Sequence, residues 1–135
     1  PGWLRLSPHF AARLVGVQMT ALQEGDARRC FTFAAPNRQL AMPLLEFERS
    51  LREDPAYMPL LGCSRWEVLG ALHVTEDIYQ VRVRVMPAYA SSAPFAAARV
   101  APVDYTWVLG RQALPPYEGS WMTEDLVPDL DAPPC

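Results

Sequence analysis

The chain has 135 residues, 50% of them hydrophobic, which is enough for one domain with its own core and too few for two. A net charge of −3, a pI near 5.3 and arginines scattered singly or in pairs exclude an electrostatic footprint for nucleic acid. No apolar run approaches the ~20 residues of a membrane span, so there is no transmembrane segment to expect and any link to a membrane complex would be peripheral.

The first half reads as helices. Ser7 suits an N-cap and Pro8 the first helical position, where a missing N–H costs nothing. Phe10, Leu14, Val17 and Ala21 recur at helical spacing, with Val15 and Leu22 widening the stripe, which predicts that this face is buried. His9 falls in the first turn and is expected to be exposed. Gly25 stands where a left-handed C-cap belongs, and Asp26 can cap a second short helix through Phe31, closed by Pro36. Pro43 opens a third helix with Leu44, Phe47 and Leu51 inward and Glu46, Glu48, Arg49 and Arg52 outward. Asp54-Pro55 stops it, and the turn holding Tyr57, Met58 and Pro59 is expected to pack against a sheet.

The second half changes to a period of two. Trp66, Val68, Leu72 and Val74 share one face of a strand over 65–74, with Gly70 between them. Glu76-Asp77 is the predicted hairpin turn. From Ile78 to Met86, Tyr79, Val81, Val83 and Val85 alternate with Gln80, Arg82 and Arg84, the clearest strand in the chain. Val103, Tyr105, Trp107 and Leu109 make a third strand, and Tyr117, Gly119 and Trp121 a fourth after the Pro115-Pro116 turn. Helices first and antiparallel strands afterwards predict an α+β domain, the helices laid on one face of a curved sheet. Phe10, Leu14, Val17, Leu22, Phe47, Val81, Val83, Trp107 and Trp121 are its expected core. The domain spans 1–125. Within it, 87–102 is an irregular inserted loop rich in Ala, Ser and Pro, and 126–135 reads as an acidic, Pro-rich tail.

Chemistry-bearing residues are sparse. Cys30, Cys63 and Cys135 share no close spacing and there are two His, so no zinc site can be assembled, and neither a metal nor a cofactor is expected. Cys30 and Cys63 read as small core hydrophobes in a reducing compartment, or as one disulfide with a cysteine left over. His73 and Asp104 are the only, weak, candidates for a catalytic His–carboxylate pair, with Tyr105 as a proton donor. Asp104 and Tyr105 are neighbours on a strand, however, and point to opposite faces. The strand aromatics Trp66, Trp107 and Trp121 fit a core better than a ligand box. Arg82 and Arg84 share one strand face, as an anion site, a solvated surface or a face covered by another protein. Phe95, alone in the irregular loop, either anchors a partner or caps the sheet edge. Arg82, Arg84 and Phe95 are thus the expected interaction residues.

Longer stretches carry a resemblance. The run Val17-Gln18-Met19-Thr20-Ala21-Leu22, then Gly25-Asp26, then 31–37 (Phe-Thr-Phe-Ala-Ala-Pro-Asn), resembles uncharacterised plant, algal and bacterial proteins of the nuclear transport factor 2-like superfamily. Pro43-Leu44 with Phe47, Pro55-Ala56-Tyr57 with Pro59-Leu60-Leu61, Tyr105 with Trp107-Val108-Leu109 and Arg111-Gln112, and Tyr117 with Gly119 and Trp121-Met122-Thr123 are similar as well. The resemblance implies a cone-shaped α+β fold. That superfamily holds isomerases, dehydratases, transport adaptors and scaffolds alike. The expected function is therefore a non-catalytic protein-binding domain, an accessory or assembly subunit of a larger complex whose partners are other protein subunits. The alternative is a small-molecule binder or an isomerase- or dehydratase-like enzyme using the cone cavity. Absence of Lys, a single Ile and a single Asn, with abundant Ala, Arg and Pro, suggest a GC-rich genome such as that of many green algae, dinoflagellates or some bacteria. Together with the resemblance, this favours the chloroplast, otherwise the cytoplasm. The chain begins Pro1-Gly2 without a recognisable signal and reads as a processed form or a piece of something longer.

Overall fold

The computed structural model describes residues 8–88 and 101–129. The elements run α1 (Pro8–Gln23), α2 (Ala27–Phe31), α3 (Pro36–Ala41), α4 (Leu44–Glu53), β1 (Arg65–Thr75), β2 (Ile78–Met86), β3 (Val103–Arg111) and β4 (Trp121–Pro128). The strands pair antiparallel in the order β1-β2-β3-β4, an open sheet with β1 and β4 at its edges. This is an α+β domain with N-terminal helices and a four-stranded antiparallel sheet.

Local chemistry accounts for the helix boundaries. Gly25 takes φ +82°, which lets α1 end, and the Asp26 carboxylate accepts from the Arg29 amide at 3.0 Å to start α2. Pro36 does not close α2. It occupies the first turn of α3, a helix without a single buried residue and hence without an apolar stripe to read. Pro43 precedes α4, where Leu51 is buried and Leu44 and Phe47 are half-buried, and Asp54 caps its end. Tyr57 packs against the core and donates from its hydroxyl to the Leu126 carbonyl at 3.1 Å.

On β2, Val81, Val83 and Val85 are fully buried and Arg82 and Arg84 exposed. At about 1.5–3 kcal/mol per buried aliphatic side chain, a slip of one residue is prohibitive, because it would expose the valines and bury the arginines. The valines pack with Tyr105, Trp107 and Leu109 of β3, with Leu51, and with Ala11, Val15, Met19 and Leu22 of α1. Cys30 and Cys63 are free thiols in the same core. Burial, assisted by the Asp26 charge, pushes the Cys30 thiol up to about 12, and burial pushes Cys63 up to about 11, so both are unreactive.

Four further expectations need correction. α1 is turned about its axis relative to the predicted stripe. It buries Ala11, Val15, Gln18, Met19, Ala21 and Leu22, while Phe10 and Val17 are exposed and Leu14 is half-buried. The helix is apolar on more than one side, so periodicity alone selects the wrong stripe. β1 does not keep one face. An extra residue at Leu69 breaks the ladder between Val68 and Gly70, and another at Val74 between His73 and Thr75. Beyond the first bulge Ala71 opposes Val81, and Leu72 and Val74 are exposed. The fourth strand starts at Trp121, with Tyr117 and Gly119 in the preceding turn. It runs to Pro128 with Leu126 buried, so the first residues assigned to the tail belong to the sheet. Ser7, Phe95 with the rest of 89–100, and 130–135 with Cys135 lie outside the described residues.

The rotated face of α1 can be tested by unfolding in urea. Leu22→Ala should cost about 2–5 kcal/mol, whereas Val17→Ala should stay within about 0.5 kcal/mol. Equal losses would return α1 to the predicted stripe.

Candidate functional site

Between helices and sheet the interior is mostly apolar, with one polar thread. Among the described residues Gln18 and Thr123 are the buried polar ones, and the Thr123 hydroxyl donates to Gln18 Oε1 at 2.7 Å. Gln18 Nε2 donates back to the Leu14 carbonyl at 3.2 Å. Thr123 is also gripped through its backbone. Its carbonyl accepts from the Ala35 amide at 2.7 Å and its amide donates to the Phe33 carbonyl at 2.8 Å, a one-residue parallel bridge that docks the α2–α3 connector on the β4 edge. Beside this thread, Gln18, Cys30, Phe31, Ala34, Met42, Phe47, Trp107 and Leu126 line a crevice whose mouth is flanked by Arg38. The Arg38 guanidinium is held by Asp125 at 2.9 Å. The open space inside is about 20 Å³, room for one water molecule. Trp107, 1% exposed, has a buried indole Nε1–H without a hydrogen-bond acceptor among the described residues. Trp66, by contrast, donates to Gln23 Oε1 at 3.2 Å, and both Trp66 and Trp121 are half-buried against the core.

The two catalytic candidates lie on opposite faces of the sheet. His73 opposes the buried Tyr79, stacking on it at 4.7 Å between ring centroids. Asp104 opposes Arg84 on the face away from the core. Tyr105 points inward and its hydroxyl donates to the Ala56 carbonyl at 2.8 Å. No acid–base pair is assembled from these residues.

On the outward face the expected interaction residues hold the chain's own carboxylates. Arg84 grips Asp104 through two hydrogen bonds of 2.9 and 3.1 Å, and Arg82 reaches Asp129 at 2.6 Å and Asp104 at 3.7 Å. The Arg84 hydrogen bonds hold the Asp104 carboxyl below its ordinary value despite some desolvation. At the far end of β3, Arg111 pairs with Asp77 at 2.7 Å and lies over the Trp121 ring. The Glu124 side chain, the extra residue of a β4 bulge, lies over Gly110 where a Cβ would project and would have to move aside for one.

A surface groove follows from the turned α1. His9, Ala12, Arg13, Gly16, Val17, Thr20, Arg29 and Trp66 line an open concavity in which no acidic residue takes part. Gly16 faces the Trp66 ring, where a Cβ would sit in ordinary contact with it at 3.4 Å. Arg13 and Arg29 make no ion pair among the described residues. Sequence reasoning missed this site because it placed Val17 in the core. It also missed Gln18, although a glutamine three residues after Val15 and four before Leu22 is a polar break in an apolar face.

The chain matches no protein-family model, no curated protein and no solved structure. Among the described residues no helix is long and apolar enough to cross a membrane, and no group of three or more potential ligands could hold a metal ion.

The Asp104–Arg84 pair sets an expectation for acid. The carboxyl titrates lower in the folded chain than its ordinary ~3.9, so the pair's contribution is present at neutral pH and is lost as pH falls through the folded value. Asp104→Asn should lower the melting temperature near pH 7 and converge with the parent toward pH 2. A constant difference across that range would show that the charge is not responsible.

Proposed function

We propose that this domain is a non-catalytic protein-binding module, an accessory or assembly subunit of a larger complex. The observation that carries the reading is the second apolar side of α1. Val17 is exposed on the helix, Trp66 backs the groove beside it, and Arg13 and Arg29 supply the formal charge lining it among the described residues. In a chain of net charge −3, this local reversal favours a partner segment that is acidic with an apolar anchor. Two further observations support binding over catalysis: His73 and Asp104 are separated by the sheet, and the interior crevice is nearly filled by the domain's own side chains. The resemblance to the nuclear transport factor 2-like superfamily is compatible with a scaffold of this kind, and that resemblance together with the composition supports a cone and a chloroplast setting.

The reading is tested on the native protein. It should migrate in extracts well above its own 15.1 kDa. A Val17→Glu variant should migrate alone while its unfolding free energy changes by no more than about 0.5 kcal/mol, the usual effect of an exposed substitution. Arg13→Glu should slow association most at low salt. A native protein that migrates alone, or a Val17→Glu variant that keeps its complex, sinks the proposal.

A further inference from the structure

The two edges of the sheet are treated unequally. The outer edge of β4 is covered at Thr123, which bonds to Phe33 and Ala35. β1 pairs with β2 alone among the described residues and leaves its other edge open along a strand of 11 residues. An open edge presents unpaired N–H and C=O groups to any extended chain, and a bulge blunts it by disrupting the regular row. β1 carries its bulges at Leu69 and Val74, so the blunting begins only after Val68. Residues 65–68 keep a regular ladder against 83–86 and remain a competent template. These four residues also lie between two concavities. Trp66 opposes Val85 on the helix side and lines the α1 groove with Arg13, Gly16 and Arg29. Glu67 opposes Arg84 on the outward side, where Arg65, Trp66, Glu67, Arg84, Met86 and Pro102 line a second hollow of about 420 Å³. Side chains alternate across a strand, so a segment laid along this edge would send successive residues into one concavity and then the other.

We propose that the protein partner docks by adding an extended, acidic strand to the open edge of β1 at residues 65–68, alongside α1. The inference rests on the protein-binding reading and specifies how the partner is held. Main-chain hydrogen bonds to β1 set its register, and the two concavities select its side chains. Charge complementarity fixes the kind of segment. Arg13 and Arg29 at the groove and Arg65 at the hollow make no ion pair among the described residues, and Arg84 is held by Asp104. Among the described residues Glu67 is the one carboxylate lining either concavity. Acidic residues are therefore favoured on both sides of the added strand, with an apolar one against Trp66. A second copy of this chain fits worse. Pairing β1 with its own kind across a two-fold axis would set two α1 helices side by side, each with its uncompensated Arg13.

The test follows amide hydrogen exchange of the full chain, free and with a synthetic nine-residue peptide in which Val and Leu alternate with Asp and Glu. Binding should slow exchange within residues 65–68 by at least ~10-fold and leave 70–75, beyond the first bulge, unchanged. Two twins of the peptide, each methylated on the backbone nitrogens of one edge, keep every side chain and lose the donors of that edge. One twin should bind at least ~10-fold more weakly than the other, the effect of losing two or three main-chain hydrogen bonds. Arg65→Glu, a change at an exposed position, should weaken the parent peptide by ~3-fold or more at low salt. Equal binding of the twins, slowing confined to α1, an Arg65→Glu chain that binds unchanged, or no binding overturns strand addition. Each of these leaves the protein-binding reading to its own test, the migration of the native chain in extracts. A two-chain particle that protects residues 65–68 without peptide assigns the edge to a second copy and overturns the proposal as well.

Discussion

The fold hangs on Thr123. One residue on the edge strand makes three hydrogen bonds to two different parts of the helical layer: its hydroxyl to Gln18 on α1, and its amide and carbonyl to the connector between α2 and α3. In an apolar interior such bonds hold position more than they add net stability, because each alternative leaves a buried group unpaired. With Thr123 in register opposite Leu109, α1 lies across the sheet at a set height and α3 is brought to the β4 edge, where Arg38 meets Asp125.

Two surfaces follow from that placement. α1 must turn its Gln18 side inward, which brings Val15, Met19 and Leu22 with it and leaves Phe10 and Val17 outside. A glutamine is thus the reason a hydrophobic stripe is exposed. The outward sheet face is handled differently. There the arginines of β2 are matched by Asp104 and Asp129, so that face is polar and internally neutral. At the groove along α1, by contrast, Arg13 and Arg29 make no ion pair among the described residues.

Legibility in the sequence tracked how local the deciding interaction was. β2 was readable to the residue, because strict alternation with a buried valine face leaves no competing register. The Gly25-Asp26 stop and the Glu76-Asp77 turn were readable because one or two residues make them. α3 was not, since its start is a proline that also serves as a stop and it has no buried residues. The bulge at Leu69 was hidden too: nothing in Val68-Leu69-Gly70 distinguishes an extra residue from a paired one until β2 is laid beside it. The crevice was the least legible feature. Its key groups, Gln18, Trp107 and Thr123, come from three distant parts of the chain and acquire meaning only together.

The bond between Gln18 and Thr123 spans 105 positions of sequence, and that distance has a cost in time. At synthesis rates of about 5–20 residues per second, α1 leaves the ribosome roughly 5–20 s before β4 exists. Throughout that interval the Gln18 side of the helix lacks the strand residue that fixes it. The nascent helical half is therefore a natural client for a chaperone, and the face it shows the chaperone includes the residues later offered at the groove.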